Sequence, residues 1–284
     1  MSTTLTLLSR NSYGKSQVRL TKVTRHEDRH DLKEVTIDIE LEGDFEPAYT
    51  KGDNRLIVAT DSMKNTVYVL ARNHPVEHIE GFGQHLANHF VDTYGQVASA
   101  TIVLREKLWK RITSERAPHP TAFMGVSNEK RVCTVHHTRS DTQVESGLED
   151  LLVLKTTQSS FSGFVRDEFT TLPEADDRIL ATSVTAYWTY ESGEHDWNHL
   201  YDTIRRSMLE TFARHDSRSV QETLYAMGEA ALAACPQMTE IAMQLPNSHR
   251  IPVNLTPFGL DNPNEIFVPT DEPYGVISGT LRRK

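Results

Sequence analysis

Apolar and polar residues alternate over two stretches near the start of the chain, residues 13–24 and 35–41, and in the latter Val35, Ile37, Ile39 and Leu41 hold the alternate places. That period of two is the mark of a strand with one buried face. A run of charges separates the stretches, so the reading is two strands joined by a polar turn. Short apolar stretches follow at 56–59 and 66–71. Over 77–94 the period changes: Ile79, Phe82, Leu86, Phe90 and Val91 recur near helical spacing, which predicts an amphipathic helix. Strand patterns return at 96–104 and 131–137.

The second half repeats this plan, with strands expected over 151–156 and 183–190, helices over 198–215 and 219–234, and strands over 241–245, 252–255 and 274–281. A faint echo between 53–60 and 176–182, where Asp53-Asn54-Arg55-Leu56 resembles Asp176-Asp177-Arg178-Ile179, points the same way. The expected architecture is α+β: two similar units, 1–140 and 141–284, each an antiparallel sheet with helices on one face. The division is expected between Arg139 and Gly147, a polar stretch with Ser, Asp and Gly.

Composition narrows the function. A chain of 284 residues with 38% hydrophobic and 24% charged residues has ample material for a core. A formal charge of -9 argues against nucleic-acid binding, which draws on dense Lys and Arg, although one local arginine still suffices for a small anion. No stretch approaches the roughly eighteen apolar residues a membrane span needs, and Met1 to Arg10 lack the pattern of a secretory leader. Cys133 and Cys235 lie far apart without CxxC spacing, as expected in a reducing compartment.

Three histidine groupings invite a metal reading that their context does not support. His26-Glu27-Asp28-Arg29-His30 matches HExxH, but it sits in the charged turn rather than on the helix that motif requires. His136 and His137, adjacent on an expected strand, point to opposite faces. His195 and His199 flank Asp196 at a helix start, where capping is the ordinary role. No phosphate loop, nucleotide fingerprint or GxSxG elbow is present.

Several segments together resemble the urate oxidase family in order and spacing over nearly the whole chain. They are Tyr13-Gly14-Lys15, Val58-Ala59-Thr60-Asp61-Ser62 with Lys64-Asn65-Thr66, Leu152-Val153-Leu154-Lys155-Thr156-Thr157, Phe161-Ser162-Gly163-Phe164-Val165-Arg166-Asp167, Asp177-Arg178-Ile179-Leu180-Ala181-Thr182, Ser219-Val220-Gln221 and Leu245-Pro246-Asn247-Ser248-His249. The closing Asp261-Asn262-Pro263-Asn264-Glu265-Ile266-Phe267 is similar to the bacterial branch. The resemblance implies tandem tunnelling-fold units that pair between chains into a β-barrel and stack as a homotetramer. It also implies oxidation of urate by dioxygen and water to 5-hydroxyisourate and hydrogen peroxide, with no metal or organic cofactor and no nucleic-acid or membrane partner.

By the same resemblance Lys15, Thr60 and His249 are the catalytic relay, since a lysine amine freed of its proton can act through a hydroxyl as a general base. Arg178 and Gln221 clamp the purine edge, the guanidinium as a planar donor fork and the carboxamide as donor and acceptor together. The Val220 backbone completes that edge, Phe161 stacks on the ring, Leu172 forms an apolar wall, Asn247 holds dioxygen and then water, and Asp61 orients substrate through its backbone. Lys15, Thr60 and Asp61 come from one chain and the rest from its partner. From spacing alone Arg178 reads as a surface ion-pair residue, as does Arg55 in the echoing segment. Ser162 and Ser248 depart from the larger or basic residues of many relatives. The ending Leu281-Arg282-Arg283-Lys284 lacks the peroxisomal Ser-Lys-Leu, so a bacterial cytoplasmic enzyme is expected. Two other readings are a pterin-related enzyme of the same fold, which uses zinc or a glutamate anchor, and a non-catalytic purine-binding oligomer.

Overall fold

β1 (Ser12–Arg25) and β2 (His30–Gly43) pair antiparallel, and β2, β3 (Val97–Ser114) and β4 (Ala117–Thr138) follow in the same sense. Val35, Ile37, Ile39 and Leu41 of β2 are all buried, so the period of two in the sequence is the inner face of this sheet. The structure, a computed structural model, describes residues 6–114 and 116–284; residues 1–5 of the start read for a leader lie outside the described residues. Between β2 and β3 run α1 (Glu46–Lys51), α2 (Thr60–Asn73) and α3 (Ile79–Thr93). α2 packs on β1, and α3 on β3 and β4. The apolar stretch at 66–71 belongs to α2, whose buried residues Met63, Val67 and Ala71 recur every fourth place.

β3 and β4 extend well past their expected ends. Polar ties rather than apolar burial hold this extension: Arg111 Nη1 donates to the Pro120 carbonyl at 2.8 Å, Arg111 Nη2 meets Asp31 at 2.5 Å, and Trp109 Nε1 donates to Glu34 at 2.9 Å. A reading of hydrophobic period is blind to such ties. Deeper in, Glu80 is fully buried yet accepts from Arg131 Nη2 at 2.7 Å and from Ser146 Oγ at 2.9 Å, which compensates its desolvation.

The second unit repeats the order strand, strand, helices, strand, strand. β5 (Thr142–Lys155) and β6 (Leu180–Tyr190) precede α4 (Trp197–Arg214) and α5 (Val220–Ala234); β7 (Met238–Pro252) and β8 (Phe267–Arg282) close the chain. β6 pairs antiparallel with β7, and β7 with β8, while α5 packs on β7 and β8. Trp188, Ile204, Met208, Met227, Ile241 and Leu245 fill a core separate from that of the first unit. Contacts divide the chain between Ser146 and Gly147, within β5. Residues 253–255 leave β7 and enter a short 3-10 turn, Thr256–Phe258.

The echo of 53–60 in 176–182 does not mark equivalent positions, because the first leads into α2 and the second into β6. What repeats is the order of elements. The HExxH string forms the turn between β1 and β2, with His26 Nε2 2.9 Å from Asp31 Oδ2. His136 and His137 meet Thr101 and Thr142 respectively, and Asp196 caps α4 by accepting from the His199 N–H at 3.1 Å. Arg55 pairs with Asp53 at 2.5 Å on the surface. No helix among the described residues is long and apolar enough to cross a membrane.

Candidate active site

The candidate residues fall into two groups, one in each unit. In the first, Lys15 lies on β1 where the strand presses against β2. A Cβ on the preceding Gly14 would come within 1.7 Å of the Ile39 carbonyl oxygen, so only glycine fits there. Just beyond, a bulge interrupts the pairing between Lys15 and Val18, and Gln17 adopts φ 59° with its N–H donating to Asp38 Oδ1 at 2.7 Å. Thr60 and Asp61 open α2, whose N-cap, Ala59, makes no side-chain capping bond. The first backbone N–H groups of that helix therefore have no intrahelical acceptor, and its positive end favours an anion.

The Asp61 carboxylate is already engaged. It accepts from Lys64 Nζ at 2.5 Å and from Asn65 Nδ2 at 3.0 Å, and the Lys64 bond in particular holds its pKa below the usual carboxylate range, with a lesser contribution from Lys15. Both bonds tie the Asp61 side chain back along α2.

The second group gathers around the start of β6. Phe161 pairs with Ala175 through two backbone bonds of 2.8 and 3.0 Å, and the Arg178 N–H donates to the Ser159 carbonyl at 2.7 Å. Ser160 in turn donates to the carbonyl of Ser217, two residues before the cap of α5, at 2.7 Å. This backbone knot brings Phe161, Arg178 and the beginning of α5 together from three separate stretches. Asp177 fastens it, since one carboxylate oxygen accepts from Thr157 Oγ1 at 2.7 Å and the other from the Ser159 N–H at 3.2 Å; the Thr157 bond leads in depressing its pKa.

Within the knot the Arg178 guanidinium lies 5.1 Å from the centroid of the Phe161 ring, which stacks on Phe164 at 5.0 Å. Arg178 Nε is buried without a hydrogen-bond partner, and burial lowers the pKa of this group. An arginine stays cationic under such a shift. A buried guanidinium nitrogen lacking an acceptor leaves room for an anionic partner, and Arg178 thus differs from the exposed Arg55. Leu172 lies in the same loop, 53% exposed.

Val220 and Gln221 are the first two residues of α5, Val220 buried and Gln221 exposed. Ser219 caps the helix by accepting from the Glu222 N–H at 3.1 Å, while Glu222 Oε2 accepts from the Arg218 N–H at 2.9 Å, close to a capping box. Ser219→Ala is expected to cost about 1 kcal/mol, read as a thermal midpoint about 3 °C lower. The Arg218 side chain bonded to Glu222 is the main reason its pKa falls from 4.5 to about 2. A depressed carboxylate stabilises the fold above its unfolded pKa and loses that contribution as pH falls. The thermal-midpoint gap between wild type and Glu222→Gln should therefore hold steady near neutrality and close between pH 4.5 and about 2.

Asn247 and His249 lie on β7. Asn247 pairs with Thr182 on β6, four residues past Arg178, and with Gly275 on β8, so it lies at the end of the strands where Arg178 enters. A register shift between Asn247 and His249 re-aims the chain beyond it. Both side chains are half-buried. Sequence reasoning assigned no role to Asp177, Ser217 or Tyr13; the pair of aspartates before Arg178 was the one available signal for the first.

Comparison with known proteins bears on what these two groups do. A family model described as Uricase matches residues 11–136 and 144–278. The chain is 42% identical to the uricase of Arthrobacter globiformis over 99% of its own length and 91% of that protein. It is 38% identical to the uricase of Oryctolagus cuniculus, covering 97% of this chain and 94% of that one. The crystal structure of the Arthrobacter globiformis uricase superposes with a TM-score of 0.94 at 42% identity, covering 99% of this chain and 96% of that one.

Proposed function

This chain belongs to the uricase family and oxidises urate, and we propose that its active site joins the Lys15–Thr60–Asp61 group of one chain to the Arg178 group of a second. The observation that carries this reading is Arg178: a guanidinium fork held against an aromatic face, with a buried donor lacking an acceptor. In this assignment Arg178 and Gln221 grip one edge of the urate anion and the Val220 N–H, at the positive end of α5, adds to that edge. Phe161 holds the ring plane and Leu172 closes the apolar side. The Asp61 backbone, at the start of α2, meets the opposite edge.

Urate gives up two electrons in all, and dioxygen takes them to become hydrogen peroxide; water supplies the hydroxyl added at the ring carbon, which leaves 5-hydroxyisourate. A urate dianion is electron-rich enough to reduce dioxygen directly, so the protein's part is deprotonation and positioning. Lys15 draws a proton through the Thr60 hydroxyl, and His249 completes the relay. Asn247 holds dioxygen and afterwards water against the ring. No step in this scheme calls on a metal or organic cofactor. Ser162 and Ser248 adjoin Phe161 and His249, and their departures from many relatives bear on rate and affinity rather than on reaction type.

A homotetramer with sites at the chain interfaces is part of the proposal. β1 and β8 stand at the ends of the strand order, where a second chain can pair, and Tyr274 and Val276 on β8 are more than half exposed at 51% and 55%. Cys133 and Cys235, buried and unpaired, support a reducing, cytoplasmic location. The test is purified protein assayed with a chelator present: urate absorbance should fall with an equal release of peroxide. A folded oligomer that binds urate without turnover would leave the purine-binding reading standing, and activity lost to the chelator would favour the metal-dependent one.

A further inference from the structure

We propose that Tyr13 is a positioning residue for the oxidation, holding Thr60 in register with Lys15. The inference rests on the relay assigned above and deepens it. Tyr13 and Lys15 are two residues apart on β1 and so share one face of the strand. The Tyr13 hydroxyl accepts from the Val58 N–H at 2.7 Å and donates to the Val58 carbonyl at 3.1 Å. One phenol thus satisfies both backbone groups of a buried residue two places before Thr60.

The ring is fixed as firmly as the hydroxyl. It meets the fully buried Phe45 edge-on, with ring centroids 4.8 Å apart, and burial raises the pKa of the phenol, which keeps it protonated as a donor. α2 enters from Val58 and Ala59 without a side-chain cap; the Met63 N–H bond to the Ala59 carbonyl closes its first turn, and the segment before that turn is tied from outside the helix. Tyr13 supplies that constraint from the strand that carries Lys15. Losing it leaves Lys15, Thr60 and the urate clamp chemically intact, but lets the hydroxyl drift from the amine, and a misplacement of about 1 Å can cost about 10²-fold in rate.

Tyr49 provides an internal control, because its hydroxyl also ties β1, donating to the Ser12 carbonyl at 2.8 Å, without touching the segment before Thr60. The experiment compares Tyr13→Phe, Tyr49→Phe, Lys15→Ala and the Tyr13→Phe/Lys15→Ala pair in the oligomer, with kcat expressed per urate-binding site counted under anaerobic conditions. Tyr13→Phe is expected to lower kcat per site about 30-fold with KM within twofold, a size typical of misplaced proton transfer. Tyr49→Phe should leave kcat per site unchanged. The double variant should be no slower than Lys15→Ala alone, since Tyr13 acts through that pair, whereas a general loss of fold would multiply the two defects. Wild-type kcat per site in Tyr13→Phe, or multiplied losses in the double variant, would overturn the proposal while the relay stands. Full activity in Lys15→Ala would instead overturn the relay itself.

Discussion

Replacing Arg178 with alanine is expected to lower kcat/KM for urate about 10³-fold, most of it through KM. The figure follows from the bonds at stake: two charge-assisted hydrogen bonds at about 2 kcal/mol each come to about 4 kcal/mol, or roughly three powers of ten. The knot around Ser159, Phe161 and Ser217 is held by backbone bonds and by Asp177, so the variant should keep its fold and its thermal midpoint. Arg178→Lys should recover only part of the loss, because an ammonium cannot present a planar fork. Steady-state kinetics on the three proteins decide the matter. A kcat/KM within tenfold of wild type in Arg178→Ala would remove Arg178 from the site.

Lys15→Ala should act on the other kinetic constant, with kcat falling by about 10²–10⁴-fold, the usual worth of a general base, and KM changing little. The substrate clamp lies in residues remote in sequence, so anaerobic urate binding should persist. Should KM rise in Lys15→Ala while kcat holds, Lys15 would be a binding group and the relay would need another base. The contrast between the two variants is itself informative: one loses affinity and the other rate, as expected if one half of the site holds the purine and the other moves its proton.

How much of this could be read from the residues depended on which force shaped each element. β2 was plain, because burial of one face writes a period of two into Val35, Ile37, Ile39 and Leu41. α3 was plain for the same reason at another period. The long ends of β3 and β4 were not, since Arg111 and Trp109 hold them through polar partners far away in sequence. α2 was obscured because its buried face is only Met63, Val67 and Ala71, too sparse to set a period.

The site was legible in a different way. Arg178 and Arg55 sit in similar surroundings along the chain, yet Arg55 is 87% exposed on Asp53 while Arg178 is turned against Phe161 with a buried, unpaired nitrogen. Nothing local in the sequence separates them. The difference comes from a knot of backbone bonds linking three stretches around 160, 178 and 217, and backbone bonds leave no trace in residue identity. Recurring short segments named these residues as candidates; the ties of Tyr13 to Val58 and of Asp177 to Thr157 and Ser159 join residues far apart along the chain and leave no local pattern.

The claim that one active site draws on two chains can be put to a direct test by co-expressing the two inactive variants, Lys15→Ala and Arg178→Ala, in one cell and purifying the mixed oligomer. If each site takes Lys15 from one chain and Arg178 from another, random pairing gives about a quarter of sites both residues, and urate oxidation should return to about that share of wild-type activity. Activity no higher than that of the separate variants, in an oligomer shown to contain both chains, would mean that each site is built within a single chain.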